Sequence, residues 1–142
     1  MNKKRLPEKY RLHHIGIVVK DVHTALRTYL DHFERTDITY KFEFVPSQKV
    51  EICMISTLDQ TTVEFIEPAG EDSPVFEFSR DGGGLHHLCY ETEDIESAIK
   101  ELDMKIIEKP VIGFESRKIA FVFEKTGDMG VSLIELAQTK NN

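Results

Sequence analysis

The chain has 142 residues, 40% of them hydrophobic and 30% charged, enough for one well-buried core. Its 25 acidic and 18 basic side chains leave a net charge of −7, which argues against a nucleic-acid or anionic-membrane surface, since both need a positive patch. A small anionic substrate stays compatible, because a bound metal ion supplies local positive charge.

Taken in order, residues 1–10 are a polar lead-in, and residues 12–19 (LHHIGIVV) read as a strand rich in β-branched side chains. Asp21 is placed to cap a helix over 22–34, with Val22, Ala25, Leu26, Tyr29 and Leu30 at helical spacing. Strands are predicted at 37–46 and 49–57, joined at Pro46-Ser47, and at 61–67, ended by Pro68. Residues 69–84 form a linker that holds a short helix near Val75–Phe78 and ends in Gly82-Gly83-Gly84. The order then repeats: a strand at 85–91, a helix from about 94 to 102, a strand around 104–108, a loop at 110–116, and strands at 117–124 and 131–137. The tail TKNN reads as frayed. Cys53 and Cys89 lie in apolar runs without CxxC spacing, as buried free thiols of a reducing compartment do. No apolar h-region follows the basic start and no run of 18 apolar residues occurs, so the chain reads as soluble and cytoplasmic, with no membrane partner.

The repeat is the informative feature. Leu12, His13, His14, Asp21 and Ala25 recur as Leu85, His86, His87, Asp94 and Ala98, a constant offset of 73. Both copies end alike, in Val63-Glu64-Phe65 and Ile134-Glu135-Leu136. The expected fold is α+β: two tandem βαβββ modules, 10–68 and 85–138, in one structural domain, whose curved mixed sheets form a metal-binding cleft. Each half offers a His near its start and a Glu near its end, so a pseudo-two-fold would bring two imidazoles and two carboxylates together. Adjacent strand residues face opposite ways, so one of His13/His14 and one of His86/His87 reaches the centre. The repeat alone leaves open which.

An N2O2 donor set suits a divalent Ni, Co, Zn, Mn or Fe ion and lacks the thiolates of a structural zinc site. Other features carry less. Gly82-Gly83-Gly84 precedes a strand and has no following Lys-Ser/Thr, so it reads as a hinge and not as a phosphate loop. Arg117, Lys118, Lys125, Glu67, Glu91, His23 and His32 read as solvated surface residues.

The motifs HHIGIVV, VEFIEP, SPVFEF, GGGLHHLCYETEDI, RKIAFVF and MGVSLIEL, spanning about residues 12–137, resemble the vicinal-oxygen-chelate superfamily. That superfamily comprises paired βαβββ proteins such as glyoxalase I, methylmalonyl-CoA epimerase, extradiol dioxygenases and antibiotic-resistance proteins. The layout is most similar to the epimerases. There the second His of GLHH binds metal, which selects His87 and, through the repeat, His14; the closing Glu carries over to Glu135. Val50-Glu51-Ile52 resembles a strand whose Glu is a proposed base. One position departs: the epimerases usually carry Gln where this chain has Glu64, and a His14/Glu64/His87/Glu135 set is more similar to nickel-type glyoxalase I. The resemblance implies a metal-assisted proton-transfer isomerase or epimerase acting on an acyl-CoA or other thioester, with Glu51 and Glu135 as the two bases, assembled as a homodimer. The alternatives are glyoxalase I acting on a hemithioacetal and a non-catalytic small-molecule-binding protein. A metal-bound carbonyl oxygen would take up the charge left by deprotonation of the neighbouring carbon.

Overall fold

The computed structural model describes residues 9–33 and 38–140; the lead-in 1–8, the start of the strand predicted from 37 and the last two residues of the tail lie outside them. The first half runs β1 (Arg11–Val18), α1 (Val22–Phe33), β2 (Thr39–Val45), β3 (Val50–Ser56) and β4 (Thr62–Pro68). A short helix, α2 (Phe76–Arg80), leads to β5 (Gly84–Thr92), α3 (Ile95–Leu102), β6 (Lys105–Ile112), β7 (Lys118–Phe123) and β8 (Leu133–Gln138). Both long helices start as the sequence predicts. Asp21 Oδ1 accepts from Thr24 N–H at 2.8 Å and Asp94 Oδ1 from Ser97 N–H at 3.2 Å, each cap being worth about 1 kcal/mol.

All eight strands form one curled mixed sheet in the order β2-β3-β4-β1-β5-β8-β7-β6. That order is a palindrome of the two halves: the opening strands β1 and β5 pair antiparallel at the centre, and each pairs in parallel with the closing strand of its own half. One face packs on the helices. Val22 and Leu26 of α1 bury against Cys53 and Ile55, and Ile95 and Ala98 of α3 bury against Ala120, Val122, Ile134 and Leu136. The concave face holds a second apolar layer that includes Val18, Ile52, Ile66, Phe114 and Ile119.

The strand predicted at 104–108 continues to Ile112 and absorbs part of the expected loop. Pro110 is tolerated because β6, among the described residues, pairs only with β7 and skips register between Glu108 and Val111. The outer strands approach each other without backbone pairing. Ser47 Oγ donates to the Ile112 carbonyl at 2.6 Å and Gln48 Nε2 donates to Glu108 Oε1 at 2.6 Å. Lys41 pairs with Glu115, whose N–H donates to both Glu43 carboxylate oxygens at 3.0 and 3.1 Å. This side-chain seam closes the concavity. Among the described residues no helix is long and apolar enough to cross a membrane.

Candidate metal centre

The register of the central strands builds the site. Across β1 and β5, His14 lies opposite Cys89 and Gly16 opposite His87, a symmetric pairing about Ile15 and Leu88. The parallel neighbours set Glu64 beside Gly16 and Glu135 beside Cys89. Residues opposite each other point to the same face, so two rows result, Glu64–Gly16–His87 and His14–Cys89–Glu135. Each row is a carboxylate and an imidazole separated by a small residue. At Gly16 the smallness is required, because a Cβ there would lie 2.3 Å from His87 Cε1.

The four polar side chains converge. His14 Nε2 lies 3.2 Å from His87 Nε2, 3.4 Å from Glu64 Oε1 and 3.2 Å from Glu135 Oε1. His87 Nε2 lies 3.6 Å from Glu64 Oε1 and 3.0 Å from Glu135 Oε1. Ligands at about 2.0–2.1 Å on one octahedral or tetrahedral ion stand roughly 3.0–3.4 Å apart, so this cluster has the span of a single coordination sphere. All four residues are buried, and buried carboxylates on an apolar face are costly without a cation. Glu135 Oε1 has no hydrogen-bond partner despite lying near both imidazole nitrogens. An acceptor left bare inside a cluster of lone pairs fits a divalent cation at the centre.

The charges agree. Burial works against ionised Glu135, but His14 and His87 beside it hold it below the usual carboxylate range. Burial likewise opposes a charged His14, yet Glu64, Cys89 and Glu135 raise it well above its ordinary value. Protonation of these groups and binding of a cation would therefore compete.

The first histidine of each doublet also has a place. His13 Nδ1 lies 2.8 Å from His14 Nδ1, and His86 Nδ1 lies 2.8 Å from His87 Nδ1. Burial, then the neighbouring imidazole, pushes His13 and His86 down to about 4, so both are neutral and able to accept. If each accepts the Nδ1 proton of its neighbour, the Nε2 lone pairs of His14 and His87 are left facing the centre. The doublet thus supplies one inward donor and one orienting partner. Sequence reasoning missed that second role, although the recurrence of both histidines was the visible signal.

Glu51 is not part of this assembly. Val50 and Ile52 line the cavity, whereas Cys53 and Ile55 on the alternate face pack under α1. Glu51 shares that second face, opposite Glu67, so the expected second base is on the wrong side of the sheet. Glu67 is not simply solvated either, since it accepts the Val22 N–H at 2.9 Å. Arg117 also departs from its expected solvated role. It is largely buried, paired with Glu91 at 3.1 Å and Glu115 at 3.0 Å, and lies over the Phe114 ring that packs against His13 and His14.

The cluster forms one end of a cavity of about 260 Å³. Its walls are mainly apolar, including Val50, Ile52, Ile66, Phe114, Phe121 and Leu133. Glu64, His87 and Glu135 line it, as do His86, Gln48 and Glu108. Among the described residues no Lys or Arg side chain lines it.

The sequence profile described as Glyoxalase/Bleomycin resistance protein/Dioxygenase superfamily matches residues 13–121. The chain belongs to this superfamily. It is 33% identical over 135 residues to an ethylmalonyl-CoA/methylmalonyl-CoA epimerase of Cereibacter sphaeroides, covering 90% of this chain and 97% of that one. It is 31% identical to the human mitochondrial methylmalonyl-CoA epimerase, covering 90% of this chain and 73% of that protein. A hypothetical protein from Bacillus halodurans has a similar solved structure, with a TM-score of 0.82 at 28% identity over 95% of this chain and 98% of that one. The Mycobacterium tuberculosis methylmalonyl-CoA epimerase shares the fold, with a TM-score of 0.78 at 23% identity over 92% of this chain and 88% of that one.

Proposed function

We propose that this chain is a metal-dependent epimerase that inverts C2 of a methylmalonyl-type acyl-CoA by proton transfer. The observation that carries the reading is the buried N2O2 cluster opening into an apolar cavity, in a chain whose relatives over nearly its full length are named as such epimerases. His14, Glu64, His87 and Glu135 would hold a divalent ion of the Ni, Co, Zn, Mn or Fe group, which would supply positive charge where negative charge develops on the thioester oxygen. The apolar walls would exclude water from the carbanionic stage. A cytoplasmic location and a homodimer belong to the same reading. The dimer is supported by Tyr40, Phe42 and Phe44, all exposed on edge strand β2.

The direct test is hydrogen–deuterium exchange at C2 of methylmalonyl-CoA with metal-loaded protein, where exchange with racemisation is expected and its absence would rule that substrate out. Glu64 favours one second reading. With two carboxylates among the four donors, the cluster would be near neutral around a divalent ion and would suit an uncharged hemithioacetal, the substrate type of glyoxalase I. Formation of a lactoyl thioester from methylglyoxal and a thiol, faster than any exchange at C2, would establish that activity instead. A purely binding role is disfavoured by four intact donors.

A further inference from the structure

Inversion at carbon by proton transfer needs a group on each face of the substrate, and Glu51 lies behind the sheet. Three carboxylates line the cavity, Glu64, Glu135 and Glu108, and the first two belong to the metal cluster. Glu108 does not. It stands on β6, opposite Phe121 of β7, which in turn stands opposite Glu135 of β8. Residues in such a row share a face, so Glu108 and Glu135 flank Phe121 on the concave side. Strands lie about 4.8 Å apart, which sets the two backbones roughly 10 Å apart on a flat sheet. Both carboxylates line the one cavity, and a carbon that exchanges protons with two groups needs each within about 3–3.5 Å.

The local structure holds Glu108 in place. β6 skips register on both sides of it, the kind of irregularity that re-aims a side chain. Gln48, from the β2–β3 turn, donates to its Oε1 at 2.6 Å. Phe121 between the carboxylates packs edge-on against the His87 ring at 5.6 Å, so the row is continuous with the metal cluster.

Resting on the epimerase reading above, we propose that Glu108 is the second acid–base group, working on the face of C2 opposite Glu135. One carboxylate removes the C2 proton and the C–H electron pair moves into the enolate. The other, protonated, delivers its own proton to the opposite face of C2 and becomes a carboxylate. The two groups then return to their starting states by exchange with solvent, so no other reactant is consumed.

The experiment separates exchange from inversion. Each stereoisomer of methylmalonyl-CoA is incubated in D2O with wild-type protein and with Glu108→Gln, while deuterium at C2 and stereochemistry are followed separately. Metal content and melting temperature are recorded for each protein. The expected result for Glu108→Gln is retained exchange from one stereoisomer, loss of exchange from the other and a fall in inversion of at least about 100-fold, with metal content unchanged. Inversion within threefold of wild type overturns the proposal, as does equal loss of exchange from both stereoisomers. Should the Gln variant lose metal or melt early, Glu108→Asp carries the same test, because it keeps the charge and withdraws it by one methylene. An absence of exchange in the wild type overturns the epimerase reading itself, and this proposal with it.

Discussion

Replacing Gly16 with alanine tests the metal centre without touching any of its donors. The added Cβ would stand 2.3 Å from His87 Cε1 and 2.6 Å from both ring nitrogens. Ordinary carbon–carbon contact is about 3.5–4.0 Å, so the ring must retreat by roughly 1.2 Å or more. Metal–ligand distances hold within about 0.2 Å, and a retreat several times larger takes His87 out of the donor set. Metal affinity should fall by at least about 100-fold, with a comparable loss of turnover for a reacting group displaced by about 1 Å. Overpacking should also cost the fold about 1–3 kcal/mol. Competition with a chelator of known affinity measures the first effect, and melting with and without metal separates it from the second. A Gly16→Ala protein that binds metal within threefold of wild type would refute the seating of His87 against Gly16, and with it the two-row construction of the site.

Further outcomes follow from other contacts. His13→Ala and His86→Ala should each lower metal affinity by about 10–100-fold while leaving the secondary structure intact, as measured by chelator competition and circular dichroism. Glu64→Gln should still bind metal, roughly 10–100-fold more weakly, and should keep C2 exchange; a variant that loses C2 exchange entirely would favour the glyoxalase reading. Glu51→Gln should change turnover by less than about twofold, because its side chain lies on the helix-packed face; a large loss would return it to the reaction. Burial opposes ionised Glu115, but Lys41 and Arg117 outweigh it and lower it from 4.5 to about 2. Its contribution is therefore full above about pH 4.5 and lost as pH falls through about 2. Glu115→Gln should cost roughly 1–2 kcal/mol at pH 7, allowing for its partial exposure, and the gap from wild type in denaturant melts should close across that acid window.

The duplication made much of the fold legible. Two copies of one strand–helix opening, each with a capping aspartate, predict palindromic strand order once the opening strands pair, and that pairing also brings His14, His87, Glu64 and Glu135 together. Glu51 was misread because β3 is apolar on both faces, so the run Val50–Ser56 hides which alternate residues look inward. A motif supplies a residue but not its face. Arg117 was misread because its partners, Glu91 and Glu115, lie far from one another in sequence. Glu108 was invisible for the same reason: its place in the cavity depends on β6 closing against the β2–β3 turn, a contact made only after the whole sheet has curled.

The join between the outermost strands has a mechanical consequence. The central strands are locked by ladder bonds, whereas β2 and β6 are fastened only by contacts such as Ser47 to Ile112 and Gln48 to Glu108, each worth about 1 kcal/mol. Such a clasp can unfasten one contact at a time while β4, β1, β5 and β8 keep their register. Losing those contacts would leave untouched the register of β4, β1, β5 and β8 that sets His14, Glu64, His87 and Glu135 together, so the rim and the cluster answer to different parts of the same sheet.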